Sequence, residues 1–147
     1  MFDVKPTTSK KSTDCGAACM VSFLDYYGEI VTLDQMIKEC NTSVSGCTGK
    51  DLLKAGRNHG LDMKAYKTDA EDVITLDRPA ICYWKYSHWI ICCGKDESGK
   101  VVICNPSRGR YGVAESLFKA FFSGIIIVNG ELSDKEDDEP EGGESNE

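Results

Sequence analysis

The chain has 147 residues, 41% hydrophobic and 28% charged, a composition that fits one soluble globular domain with room for a proper core. Its net charge of −7 sits at one end: residues 131–147 hold nine acids and one lysine, so residues 1–130 form a nearly neutral body and residues 131–147 an acidic tail. A neutral body offers no basic face to nucleic acid, the polar opening residues lack the apolar core of a secretory signal, and no apolar run is long enough to span a bilayer. The expected location is cytoplasmic, where the eight cysteines are reduced thiols. Their spacings argue against zinc. Cys40 and Cys47 have no second pair at finger spacing, and Cys92 and Cys93 point to opposite faces of a predicted strand. Neither metal nor cofactor is expected.

Residues 1–13 are polar and basic and read as an extended arm. Asp14 is a predicted N-cap for a helix over residues 15–27, where Ala18, Cys19, Val21, Phe23, Leu24 and Tyr27 make an apolar stripe that stops at Gly28. A second short helix opens at Thr32 and ends near Cys40, residues 41–49 form a polar loop, and a third helix covers residues 50–58. The period then changes to two. Residues 63–67, 80–84, 88–93 and 101–104 read as strands, with a hairpin turn over residues 97–100. Residues 113–122 return to helical spacing, and residues 124–128 are a last apolar strand. Helices first and strands afterwards give an α+β domain, an N-terminal helical half packed on an antiparallel sheet. The tail has no aromatic or β-branched residue from position 133 on and is expected to be disordered.

Cys15 carries the chemistry. A cysteine in the first turn of a helix lies at the positive end of the helix dipole beside unpaired N–H groups, which favours the nucleophilic thiolate. The same N–H groups, that of Cys15 itself included, can donate to an oxyanion formed when the thiolate attacks a carbonyl. Gly16 leaves room for substrate backbone, and Trp89, next to the candidate base, is the other expected substrate contact. Only two histidines are present. His59 follows a helix and reads as a capping or solvated residue. His88 opens an apolar strand, which holds its ring rigidly yet leaves it accessible, as a general base requires. Asn105 ends the next strand, where it would lie beside His88 and orient its ring.

Three motifs together resemble the double-glycine leader peptidases that process bacteriocins and form the N-terminal domains of peptide-exporting ABC transporters. Asp14-Cys15-Gly16-Ala17-Ala18-Cys19, with Tyr26-Tyr27-Gly28 closing the helix, is similar to that family's nucleophile segment. Pro79-Ala80-Ile81 followed by His88-Trp89-Ile90-Ile91 is similar to its base-bearing strands. Asn105-Pro106 with Gly109, then Phe122-Ser123-Gly124, is similar to its acidic Asp-Pro turn and terminal strand. The resemblance implies a papain-like fold, with Cys15 as nucleophile, His88 as base and Asn105 as orienting residue. It also implies a peptide substrate cut after a Gly-Gly leader and an ABC transporter as partner, here for a stand-alone member or an excised domain. Two departures stand out. Asn105 replaces the usual aspartate, as in papain-type enzymes, and Ser9 occupies the position of the oxyanion-hole glutamine. The departure at Ser9 leaves a peptide-binding module that does not cut as an alternative. An acyl transferase or deamidase would use the same thiolate.

Overall fold

The computed structural model describes residues 1–133, so the expectation of a disordered tail falls, from residue 134 onward, outside the described residues. Period-two alternation in the second half of the chain builds one antiparallel sheet from β1 (Met63–Lys67), β2 (Ala80–Trp84), β3 (His88–Lys95), β4 (Val101–Asn105), β5 (Gly109–Val113) and β6 (Phe122–Asn129). Across the sheet the order is β1-β6-β2-β3-β4-β5. Helices α1 (Cys15–Tyr26), α2 (Leu33–Glu39) and α3 (Gly49–Asn58) lie on one face, and the short α4 (Ala70–Ile74) and α5 (Glu115–Phe121) cover the other. Because both faces are covered, β2 is apolar throughout and β3 is apolar from Trp89 to Cys93, and alternation divides their side chains. Ile81, Tyr83, Trp89, Ile91 and Cys93 join the core under the three N-terminal helices. Cys82, Trp84, Ile90 and Cys92 join the core under α4 and α5.

Local chemistry starts the helices. Thr32 accepts the Gln35 N–H at 3.1 Å to open α2. At α3, Thr48 and Asp51 exchange hydrogen bonds at 3.0 and 3.1 Å in a capping box. Asp14 stands at the N-cap position of α1, as expected, but its side chain makes no cap bond there. Residues Ser12–Asp14 form a 3-10 turn ahead of α1, and the buried Asp14 carboxylate accepts the Lys11 N–H at 3.2 Å without capping α1.

Two elements go beyond the sequence reading. Helix α4 begins at Asp69, whose side chain accepts the Asp72 N–H at 3.0 Å. Strand β5 pairs with β4 from Val101 opposite Val113 to Asn105 opposite Gly109. Its two glycines and half-exposed residues carry no strand signal of their own, so pairing with β4 makes it a strand. The N-terminal arm is extended as expected but packed: the Phe2 N–H donates to the Cys93 carbonyl at 2.8 Å, and Val4 is fully buried. Past Gly130, Leu132 is buried too, its N–H donating to the Tyr66 hydroxyl at 2.9 Å.

His59 is a C-cap, as expected, and also a clamp. Its Nδ1 lies 3.1 Å from Glu29 Oε2 and its Nε2 2.6 Å from Glu39 Oε1, so one ring ties the ends of α1, α2 and α3 together. Two carboxylate acceptors require a donor at each nitrogen, which only the imidazolium supplies. The hydrogen bond to Glu29, and after it that to Glu39, raise the His59 pKa above its ordinary value against the opposing effect of burial. A raised folded pKa stabilises fully below the unfolded value of 6.5 and is lost as pH climbs through the folded one. His59→Gln is therefore expected to destabilise the protein by about 1 kcal/mol more on the acid side of this window than on the alkaline side. Urea unfolding of parent and variant across that range checks it; an equal loss at every pH would contradict the clamp.

Candidate active site

A cleft of about 650 Å³ opens where three segments meet: the 3-10 turn and first residue of α1 (Ser12, Thr13, Cys15), the loop over residues 43–48, and the β2–β3 hairpin (Tyr83, Tyr86, Ser87, Trp89). Trp89 holds the hairpin and the loop together. It is buried, its Nε1 donates to the Cys47 carbonyl at 3.4 Å, and its ring packs on Tyr83 at 4.7 Å between centroids. Gly16 lies beneath this joint, outside the cleft lining. A Cβ there would run into Cys47 Sγ and come within 3.2 Å of Trp89 Cδ1. The missing side chain thus makes room for the protein's own loop, a packing use of the glycine that the sequence does not reveal.

The Cys15 thiol, 5% exposed, lies at the cleft wall. Burial pushes its pKa up, and the backbone N–H groups of Trp89, Gly16 and Cys15 itself pull the other way without prevailing; the neighbouring Cys47 adds to the rise. The expectation that the helix start lowers this pKa is therefore reversed: the N–H donors are present, and desolvation outweighs them.

His88 and Asn105 meet directly, His88 Nε2 lying 2.8 Å from Asn105 Oδ1. Two further bonds orient the amide. The Ser107 N–H donates to Oδ1 at 3.0 Å, and Asn105 Nδ2 donates to the Tyr111 hydroxyl at 2.9 Å. With Oδ1 identified as the oxygen, His88 Nε2 must carry the proton, and the Nδ1 lone pair is left to accept. Tyr111 is the residue that sequence reasoning missed. It lies on β5 under the Arg108 guanidinium, 4.9 Å from the ring centre. The period-two spacing from Gly109 in β5 is the one signal that could have exposed it.

Among the described residues no hydrogen bond joins the Cys15 thiol to the His88 ring; the thiol meets the backbone of Trp89, the residue after His88. Ser9 sits against Pro106, its N–H 3.0 Å and its hydroxyl 3.4 Å from that carbonyl, and it does not line the cleft. Tyr86 and Ser87, just before His88, adopt positive φ of 71° and 59°, a conformation that costs on the order of 1 kcal/mol or more per non-glycine residue. Tyr86 stands 87% exposed at one rim of the cleft and Val44 95% exposed at the other.

Three helices packed on an antiparallel sheet, with a cysteine opening the first helix and a histidine opening a strand, make this a papain-like cysteine peptidase domain. The chain belongs to the Peptidase C39 family, whose model matches residues 3–132, the family of double-glycine leader peptidases. It is 20% identical over 117 residues to the colicin V secretion/processing ATP-binding protein CvaB of Escherichia coli, spanning 80% of this chain and 17% of that protein. It is 25% identical over 120 residues to the lactococcin-G-processing and transport ATP-binding protein LagD of Lactococcus lactis, spanning 78% and 17%. The chain thus covers less than a fifth of the length of these relatives. The crystal structure of a double glycine motif protease from an AMS/PCAT transporter, in complex with its leader peptide, superposes with a TM-score of 0.81 at 28% identity, covering 86% of this chain and 90% of that one. The peptidase domain of Streptococcus ComA has the same fold, with a TM-score of 0.78 at 19% identity and coverage of 86% and 97%.

A thiol held up by burial ionises late. Alkylation of Cys15 by iodoacetamide is expected to keep accelerating as pH rises past 9.0, the ordinary thiol value, with Cys19, Cys40, Cys82 and Cys92, buried outside the cleft lining, protected. Labelling rates by peptide mass spectrometry check this. A rate that levels off in the acid range would mean a resting thiolate–imidazolium pair and contradict it.

Proposed function

We propose that the chain is a cysteine endopeptidase that cuts a leader or precursor peptide after a Gly-Gly pair, with Cys15 as nucleophile, His88 as general base and Asn105 orienting His88. The observation that carries this reading is the amide of Asn105, fixed by Ser107 and Tyr111 so that His88 Nδ1 is left as a proton acceptor. Nδ1 takes the Cys15 proton as the sulfur attacks the carbonyl carbon after the second glycine. The oxyanion accepts from the Cys15 N–H, and Thr13, at the cleft wall, supplies a hydroxyl where Ser9 is committed to Pro106. The imidazolium then gives its proton to the leaving amine, and water, deprotonated by the same nitrogen, releases the acyl group. Asn105 donates no charge, so it holds the imidazolium by dipole and geometry alone.

The cleft supports the Gly-Gly preference. Trp89, Tyr83 and Tyr86 line it on the hairpin side and Val44 on the loop side, large side chains that leave most room to a substrate backbone with none of its own beside the scissile bond. An ABC transporter is the proposed partner, by analogy with the processing and transport proteins it matches. Among the described residues no helix is long and apolar enough to cross a membrane. A reducing, cytoplasmic setting is also proposed, as the sequence leads one to expect for a chain with eight cysteines.

The test is turnover of a synthetic Gly-Gly leader peptide. His88→Ala is expected to lower kcat by at least about 100-fold. Tyr111→Phe is expected to lower kcat by about tenfold at unchanged KM, since it frees the Asn105 amide and touches no substrate. Alanine for the second glycine should cost about tenfold or more in kcat/KM. The Ser9 departure favours one second reading, a module that binds the peptide without cutting. Tight binding with no product, in the parent and in Ser9→Gln alike, would establish that reading and overturn the peptidase.

A further inference from the structure

The catalytic reading leaves unused a second pair of sulfurs. Cys93 on β3 and Cys104 on β4 face the same core, with Sγ atoms 3.9 Å apart. In the register that sets Ile91 opposite Cys104 and Cys92 opposite Ile103, the two cysteines are diagonal neighbours on one face of the sheet. The register slips between Cys92 and Lys95, so this end of β3 is where the ladder can give. The third member of the group is Arg110, whose Nη1 donates to the Val4 carbonyl at 3.0 Å; the Cys104 thiol donates to the same carbonyl at 3.3 Å. The Cys93 thiol, and after it the Arg110 guanidinium, hold the Cys104 pKa below the ordinary thiol value, whereas that shared hydrogen bond and burial push Cys93 up. Cys104 stands opposite Arg110 in the β4–β5 ladder, so it is the sulfur with a cation beside it and the one placed to attack first. The cover over the pair is the N-terminal arm, held by the Phe2 bond to the Cys93 carbonyl at 2.8 Å. Cys104 is the residue immediately before Asn105.

We propose that Cys93 and Cys104 are a redox-active dithiol, closed to a disulfide by peroxide and reopened by small thiols, and that closure shifts Asn105. The Cys104 thiolate attacks one oxygen of hydrogen peroxide; the S–O bond forms, the O–O bond breaks, and hydroxide leaves. Cys93 then loses its proton and attacks the Cys104 sulfur; the S–S bond forms, and the sulfenic oxygen leaves as water after taking up a proton. Each peroxide accepts the two electrons that the two thiols give up, and the products are one disulfide and two waters. Closure brings the sulfurs about 2 Å nearer than they stand. Being diagonal, they draw β3 and β4 along one another, and the displacement reaches Asn105 at the end of β4. The consequence for catalysis rests on the Cys15–His88–Asn105 reading; the disulfide itself does not.

The experiment uses the full chain carrying Cys15→Ala, so that the cleft thiol cannot report. Treatment with hydrogen peroxide is expected to remove two hydrogens from the intact mass, to yield a linked Cys93–Cys104 peptide under non-reducing digestion, and to be undone by dithiothreitol. The Asn105 side-chain amide signals should shift in the same sample and return on reduction. With Cys104→Ser added, which removes the sulfur that peroxide meets first, treatment should leave both mass and signals unchanged. The proposal is overturned if the pair stays reduced while the protein is folded, if the linked peptide joins other cysteines, or if the disulfide forms and the Asn105 amide does not move.

Discussion

An amide side chain can present either its oxygen or its nitrogen to a neighbouring imidazole, and here a backbone group makes the choice. The Ser107 N–H, in the turn between β4 and β5, needs an acceptor and takes Asn105 Oδ1 at 3.0 Å. That bond sends Nδ2 to Tyr111 and leaves the same oxygen to receive His88 Nε2–H. The tautomer of His88, and with it the nitrogen that can take a proton, follows from turn geometry two residues beyond Asn105. Pairing of β4 with β5 positions Asn105, Ser107 and Tyr111 relative to one another, so the least strand-like segment of the sequence supports the most specific contact in the site.

The state of the thiol follows from a contest between two effects of the same location. The start of α1 offers N–H donors that favour a thiolate, while the Cys47 loop and Trp89 close over it and remove water, which favours the thiol. Desolvation wins. A neutral, buried thiol is spared the oxidation that a standing thiolate invites, and its activation waits for a base. Asparagine suits such a design: with no resting ion pair, no carboxylate is needed to balance an imidazolium until substrate is bound. The same physics separates Cys104 from Cys19, Cys82 and Cys92, because the neighbouring Cys93 thiol and the Arg110 guanidinium offset for it what burial imposes on those three.

Much of the architecture was legible because patterning and chemistry agreed. Short apolar runs at residues 80–84 and 88–93 locate the central strands, and the Thr32 cap sits where the sequence opens α2. His88 and Asn105 were paired from strand ends, and they touch. What escaped was set by tertiary partners. Strand β5 exists by pairing, α4 is a single capped turn, and Tyr111 lies within β5, marked only by its period-two spacing from Gly109. Asp14 takes the expected N-cap position, but the 3-10 turn ahead of α1 turns its carboxylate to Lys11. Gly16 read as space for substrate and is space for Cys47. In each case the residue type was informative and the neighbour was not in the sequence window.

The claim on which the account turns is the protonation of one imidazole, and nitrogen NMR of histidine-labelled protein measures it directly. With only two histidines, His88 is assigned by comparison with a His59→Gln sample. The account predicts that neutral His88 carries its proton on Nε2, with Nδ1 showing the shift of a bare lone pair, and that Tyr111→Phe brings in the other tautomer. A proton on Nδ1 of the neutral ring in the parent protein would contradict it.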